Sequence, residues 1–327
     1  MCHYLITGAA GFIGARCSEM LLAQGHAVTG IDNLNDAYDP RMKDYRLKKL
    51  QGLPGFAFVH ADISDQEAVL GRHSPIADRW FDAVINLAAR AGVRFSVENP
   101  WVFLESNING TLNMLELARR NGNCKFVLAS TSSIYGANPP YPTPESASSS
   151  EPLQPYAASK KGAEVLAHSY HHLYGIDTTV LRFFTVYGPA GRPDLALFRF
   201  VQLIVEGRPV RIHGDGTQSR GFTYIDDIVR GIIAALRPAG YEIINLGGHE
   251  VITINALVEL IEELTGRTAE VVHGPPNLAD MFTSWADMTH ARKLLGWEPE
   301  VGLREGTRRL IEWYLAEREW ASEILTT

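Results

Sequence analysis

Residues 7–14 read Thr7-Gly8-Ala9-Ala10-Gly11-Phe12-Ile13-Gly14, set between an apolar strand-like run at 3–7 and a helical pattern at 12–24. Glycines at this interval let a backbone turn pass close to a phosphate, and the N–H groups that open the helix then face the anion. A second strand-like run, 27–32, ends in Asp32. A carboxylate there can accept from the ribose of an adenosine and repels a 2′-phosphate, so NAD is expected rather than NADP. The spacing is G-x-x-G-x-x-G, not G-x-G-x-x-G, and glycines alone would serve equally as a tight strand–helix turn. Strand, helix and carboxylate together give the binding reading.

Working outward, strand-like runs at 56–60, 83–87, 126–129 and 179–183 alternate with helical stretches at 107–121 and 156–174. Runs as continuously apolar as residues 84–89 belong in a sheet covered on both faces. The alternation predicts an α/β fold, a Rossmann-type doubly wound parallel sheet. After Phe183, glycine and proline become frequent and helical stretches at 195–207, 226–236, 254–265 and 303–320 are separated by short strands. That texture predicts a smaller C-terminal α/β substrate-binding domain. The expected division is 1–180 for cofactor and 181–327 for substrate, with some elements exchanged across it. The Pro- and Ser-rich stretch 138–155 reads as a surface loop.

Asp62-Ile63 and Leu87-Ala88-Ala89 follow the third and fourth runs and should reach the same sheet edge. The expected cofactor contacts are therefore Gly8, Gly11, Phe12, Ile13, Gly14, Asp32, Asn33, Asp62, Ile63, Leu87, Ala88 and Ala89, joined by Tyr156 and Lys160. Asp62 reads nearly as well as an N-cap ahead of a helix at 66–70.

The chain has 327 residues, with hydrophobic residues at 46% and charged residues at 20%, as in packed globular proteins. A formal charge of −7 gives no basic footprint for nucleic acid. Three cysteines without a C-x-x-C pair exclude a disulfide framework and a cysteine-based zinc site, and they suit a reducing cytoplasm. No apolar run is long enough for a membrane span, and with the first strand beginning by His3 no secretory leader is expected.

Tyr156 and Lys160 stand four apart in a helical stretch and share a face. A nearby ammonium stabilises a phenolate and so makes tyrosine a usable general base. Tyr45 and Lys49 have the same spacing in a charged stretch and read as a solvated helix face. Tyr156 differs because a strand upstream ends in Ser130-Thr131-Ser132-Ser133, where a hydroxyl can hold the substrate oxygen that the tyrosine deprotonates. Capping is the plainer role for such hydroxyls. His168 and His172 also share a helical face, without a third ligand at metal spacing, and no metal site is expected.

The glycine motif, Asp32, the Thr131/Tyr156/Lys160 set, Arg182-Phe183-Phe184-Thr185-Val186-Tyr187-Gly188-Pro189 and the run 220–227 resemble the extended short-chain dehydrogenase/reductases that act on nucleotide sugars. The likeness covers nearly the whole chain. Ala91-Gly92-Val93-Arg94-Phe95-Ser96 and residues 188–194 resemble the UDP-glucuronate 4-epimerases most. The resemblance implies that Tyr156 takes the C4 hydroxyl proton while the C4 hydride passes to NAD, and that the 4-keto sugar turns over and takes the hydride back. It also implies a homodimer through helices 107–121 and 156–174.

The family's 4,6-dehydratases carry Asp-Glu after the catalytic threonine, and its decarboxylases carry Glu at the second position. Here both are hydroxyls, Ser132 and Ser133, which favours simple epimerisation. UDP-galactose 4-epimerases typically have Asn where this chain has Thr185, so a UDP-glucose/UDP-galactose 4-epimerase stands as the alternative. A regulatory NAD-binding protein without turnover is disfavoured by the complete catalytic set. Arg94, Arg211 and Arg220 are candidates for the nucleotide pyrophosphate, because a guanidinium matches phosphate geometry. Asp280 matches a family aspartate near the uridine ribose, whereas Asn277 stands where relatives have a phosphate-binding arginine. Arg192, with Ser132, Ser133 and Thr185, is expected to hold the sugar carboxylate. Pairing with Asp194 is the alternative for Arg192. Trp285-Ala286-Asp287 reads as core packing.

Overall fold

Apolar runs bounded by turns become β-strands, the central ones buried on both faces, in a computed structural model that describes residues 1–276 and 281–326. The strands are β1 (His3–Thr7), β2 (Ala27–Asp32), β3 (Phe56–His60), β4 (Ala83–Asn86), β5 (Lys125–Thr131), β6 (Thr178–Phe183), β7 (Thr185–Tyr187), β8 (Val210–His213), β9 (Ser219–Tyr224), β10 (Tyr241–Leu246), β11 (Glu250–Thr253) and β12 (Val271–Gly274). The helices are α1 (Phe12–Ala23), α2 (Arg41–Gln51), α3 (Gln66–Leu70), α4 (Val93–Glu98), α5 (Trp101–Leu104), α6 (Gly110–Arg120), α7 (Pro155–Tyr174), α8 (Ala196–Val205), α9 (Ile225–Ala234), α10 (Ile254–Thr265), α11 (Thr289–Leu295), α12 (Leu303–Ala316) and α13 (Arg318–Ala321).

The main sheet has the order β10-β6-β5-β4-β1-β2-β3, and every pairing in it is parallel. Successive strand residues point to opposite faces. Tyr4 and Ile6 therefore join a core with α1, α2 and α9, while Leu5 joins one with α3, α6 and α7. Strand order reverses between β1 and β4, and open α/β sheets bind ligands outside the carboxyl ends at such a point.

The seventh strand, β10, comes from residues 241–246, well past the texture change at 183, and pairs with β6. Two small sheets, β11-β9-β7 and β12-β8, flank the carboxyl end. The stretch 138–155 is irregular but not merely a surface loop. Thr143 is buried and bridges Ala286, because its carbonyl is needed by Asn245 Nδ2 at 2.9 Å and by Asp287 N. Trp285 is 39% exposed, so core packing does not explain it; the buried residue of that segment is Ala286. The Tyr45–Lys49 pair also departs from a solvated face. The Tyr45 hydroxyl donates to Glu317 at 2.7 Å and accepts from Trp313 Nε1 at 3.0 Å, docking α2 onto the C-terminal helices.

Candidate active site

The glycine turn closes on itself. Gly8 has φ +67°, and a Cβ there would meet the Ala88 backbone at 3.0 Å; a Cβ on Gly14 would lie 2.1 Å from the Gly8 carbonyl. Gly11 N donates to the Gly8 carbonyl at 2.9 Å, and no side chain caps the α1 N-terminus at Gly11. The facing loop is fixed in turn. Thr7 Oγ1 donates to Asn86 Oδ1 at 2.7 Å and accepts from Ala88 N at 2.9 Å, while Asn86 Nδ2 donates to Thr111. A cradle that only glycine permits, under uncapped helix N–H groups, fits a pyrophosphate.

Asp32 lies at the end of β2 and is 6% exposed. Its carboxylate accepts from Ala10 N at 3.1 Å, from Leu34 N at 2.8 Å and from Lys43 Nζ at 3.4 Å. Asn33 Nδ2 donates to Asp62 at 2.6 Å, which joins two expected cofactor contacts directly. Asp62 is not the cap of α3. Asp65 is, accepting from Glu67 N and Ala68 N. Asp62 instead accepts from the backbone and hydroxyl of Ser64. Burial opposes its charge, but those bonds and the one from Asn33 hold its carboxyl below the ordinary value. Ile63 is buried, and its carbonyl accepts from Asn113 Nδ2 at 2.8 Å.

On the other side of the switch point, β5 delivers Thr131, and the chain then makes a short 3-10 turn over Ser132–Tyr135. Thr131 Oγ1 caps that turn by accepting from Ser133 N at 3.2 Å. The Thr131 hydroxyl lies close enough to the Tyr156 phenol to favour its ionised form. The turn-capping threonine therefore also stands beside the phenol. Tyr156 opens α7 and packs edge-on against Phe103, with ring centroids 6.1 Å apart. Burial raises its phenol above the ordinary value, while the Thr131 hydroxyl and the positive charge of Arg192 pull it down.

Lys160, one turn on, is 2% exposed. Burial pushes its ammonium down to about 8, against the upward pull of Glu164. Arg192 is a cation whose charge reaches the Tyr156 phenol.

Arg192 Nε donates to Asp194 at 3.1 Å and Nη2 donates to the same carboxylate at 2.5 Å and to the Ala91 carbonyl at 3.3 Å. The Asp194 pairing weighed as the alternative is present, yet Arg192 also lies near enough for its charge to reach Tyr156. Thr185 and Arg192 line one cleft with Gly188 and Gly191.

The pyrophosphate candidates are less tightly gathered. Arg94 on α4 and Arg211 on β8 are exposed, and Arg220 is half-buried. Arg220 donates to the carbonyls of Ser219 and Phe282. Sequence reasoning missed Arg199, which feels the charge of Arg94 and donates to the Arg211 carbonyl at 3.5 Å. Its Nε is buried without an acceptor among the described residues. Burial and Arg94 both hold its pKa below the ordinary value, and this suits an anion nearby. Nothing in its sequence position, inside an apolar amphipathic helix, marks it. Asn107 was also missed: it accepts from Arg90 N and donates to Ser159 Oγ at 2.8 Å, tying the loop after β4 to α7. Asp280 and Asn277 lie outside the described residues.

A glycine cradle, a ribose carboxylate and a Thr–Tyr–Lys set at one sheet edge define a dinucleotide-dependent enzyme of the short-chain dehydrogenase/reductase type. The model of the NAD dependent epimerase/dehydratase family matches residues 4–247. The chain belongs to that family, and its cofactor is NAD. It is 54% identical over 316 residues to a UDP-glucuronate 4-epimerase of Thermodesulfobacterium geofontis, covering 96% of each chain. Among solved structures it is similar to UDP-glucuronic acid 4-epimerase from Bacillus cereus in complex with UDP-glucuronic acid and NAD. That match has TM-score 0.86 and 34% identity over 96% of this chain and 99% of the other. A Thermotoga maritima UDP-glucose 4-epimerase with UDP-glucose gives TM-score 0.87 and 33% identity over 97% and 99%.

Proposed function

We propose that the protein is an NAD-dependent 4-epimerase that interconverts UDP-glucuronate and UDP-galacturonate through a transient 4-keto sugar. The observation that carries the choice of substrate is that Arg192 shares a cleft with Thr185 and lies near enough for its charge to reach Tyr156; Ser132 and Ser133, in the turn that follows Thr131, add hydroxyls in this reading. These groups suit a carboxylate and contain no acid or base for chemistry at C5 or C6.

Bound NAD supplies the hydride acceptor and donor. Tyr156 and Thr131 hold the C4 oxygen between their hydroxyls. Tyr156 Oη takes the C4 hydroxyl proton and later returns it, and the positive charges of Lys160 and Arg192 favour its ionised form. Oxidation at C4 leaves a ketone β to the C6 carboxylate, an arrangement that loses CO₂ when the C5–C6 bond aligns with the carbonyl π system. Arg192 and the hydroxyls hold the carboxylate away from that alignment while the ring turns over. Arg94, Arg199, Arg211 and Arg220 serve the pyrophosphate, and Asp280 the uridine ribose.

Residues 1–180 form the cofactor unit and 181–327 the sugar-nucleotide unit in this reading, with β10 of the second part exchanged into the sheet of the first. A homodimer is supported by apolar side chains left exposed on neighbouring helices, Val97 (60%) on α4, Trp101 (71%) on α5, and Val165 (56%) and Leu173 (65%) on α7. Three unpaired cysteines support a cytoplasmic location.

Purified protein given UDP-glucuronate or UDP-glucose separately, with products assigned by proton NMR couplings at H4, tests this reading. A C4 epimer from UDP-glucuronate in clear preference is expected. Preference for UDP-glucose, or a pentose product, would contradict it.

A further inference from the structure

Behind the catalytic face, three neighbouring strands each place a polar residue in one row. Ser130 on β5 is the register partner of Arg182 on β6, and Arg182 is the partner of Asn245 on β10. Glu164 descends onto this row from α7, one turn beyond Lys160. Arg182 Nε donates to Glu164 Oε1 at 3.0 Å and Nη2 donates to Oε2 at 2.9 Å, a two-point pair with both side chains only 2% exposed. Ser130 Oγ donates to Glu164 Oε1 at 2.6 Å. The remaining Arg182 bonds, from Nη1, go to the Tyr135 hydroxyl at 3.0 Å and the Glu145 carbonyl at 3.1 Å.

An ion pair this buried is a poor source of net stability, because desolvating both charges consumes most of the Coulomb gain; a well-packed apolar pair would do as well or better. Its position suggests another use. Ser130 precedes Thr131, so the Ser130–Glu164 bond ties the strand end that carries one catalytic hydroxyl to the helix that carries Tyr156 and Lys160. Glu164 is also the charge that acts on Lys160. Burial lowers that ammonium, and Glu164, one turn on along the same helix, pulls the other way. Arg182 in turn keeps Glu164 ionised: burial opposes the carboxylate, but Arg182, helped by Ser130 and Lys161, holds it below the ordinary range.

We propose that Glu164, locked by Arg182 and bonded to Ser130, is the positioning residue of the catalytic helix, setting Lys160, one turn away, and Tyr156 against the strand end that carries Thr131. The inference rests on the epimerase reading for its functional meaning but not for its test. The charged and titratable groups around the assembly are Tyr156 and Lys161 on α7, Tyr135 after β5, Arg182 on β6, Glu145 in the 138–155 stretch, and Tyr241 on β10, whose hydroxyl donates to the Glu164 carbonyl. Arg192 faces the same site from the loop beyond β7.

The test follows the Cε resonance of Lys160 in the full-length, lysine-labelled protein with its cofactor, assigned by its loss in Lys160→Met. Glu164→Gln is expected to lower the Lys160 midpoint by about one pH unit or more, and Glu164→Asp to restore most of it. Because Glu164→Gln leaves Arg182 buried without a counter-ion, the double variant Glu164→Gln/Arg182→Met removes both charges and should show the same fall if the single variant does not fold. The alkaline limb of kcat/KM should move down with the midpoint. An unmoved Lys160 midpoint, or activity lowered equally at every pH, would make the pair purely structural and overturn the proposal. A wild-type chain without epimerase activity would sink the functional reading while leaving the titration interpretable.

Discussion

Lys43 Nζ lies 3.4 Å from the Asp32 carboxylate, and both side chains are buried. The carboxylate expected to select against a 2′-phosphate is thus held beside a cation that would welcome one. Asp32→Asn should leave the Lys43 ammonium unpaired in a dry site. The expected outcome is a wild-type preference for NAD that narrows by about tenfold or more in the variant, through weaker NAD and stronger NADP binding. Calorimetric titration with both dinucleotides measures this; an unchanged ratio would remove Asp32 from cofactor selection.

Tyr156→Phe removes the general base and keeps the ring against Phe103. Turnover should fall at least ~10²-fold, the usual contribution of a positioned acid–base group, with NAD and UDP-sugar affinity largely preserved. Stopped-time assays beside equilibrium binding separate the two, and near-normal turnover would end the assignment.

Arg192→Ala should cut turnover of UDP-glucuronate by roughly 10² or more, from losing a charge-assisted contact of ~3 kcal/mol. Because Arg192 also bears on Tyr156, a smaller loss with UDP-glucose is expected too, and the ratio of the two losses is the readout. Residual turnover should leak a decarboxylated UDP-pentose, visible by mass. Equal losses for both sugars would restrict Arg192 to a role at Tyr156.

Strands β1 to β6 were legible to within about two residues because each is a continuous apolar run cut by turn residues. Strand β10 was not read as part of this sheet. Tyr241–Leu246 is short and mixed, and its partner β6 lies far upstream, so the pairing is a tertiary fact with no local signature. The site divides the same way. Gly8, Gly11, Gly14, Asp32, Tyr156 and Lys160 announce themselves by local spacing along the chain, within one element or between consecutive ones. Glu164, Arg182, Arg199 and Asn107 take their meaning from partners on other elements, and a glutamate on a helix reads as solvated until the opposing arginine is seen. Arg192 was legible both as a loop cation and as a partner for Asp194, but its reach to Tyr156 from across the sheet edge was not.

The unforeseen strand has its own anchor. Asp177, just before β6, accepts from Lys125 and from Ala239 N and Gly240 N at 2.8 Å, the turn that starts β10. Burial opposes its charge, but these partners hold its carboxyl below the ordinary value. A depressed native value contributes stability that is full above the unfolded value of ~3.9 and is lost as pH falls through the native one. Asp177→Asn should therefore cost about 1–2 kcal/mol near pH 7, with the gap to wild type closing below about pH 4. Urea unfolding at both pH values tests it; a gap independent of pH would mean that the carboxylate charge is not what holds the edge.

The central claim is that hydrogen leaves C4 of UDP-glucuronate as hydride and returns to C4 of the same sugar. Incubation of the purified protein with UDP-glucuronate deuterated at C4, in ordinary water, measures this directly by NMR and mass. The expected product is UDP-galacturonate with its deuterium still at C4 and no pentose beside it. UDP-galacturonate that has lost the label to solvent, or no C4 epimer at all, would contradict the mechanism.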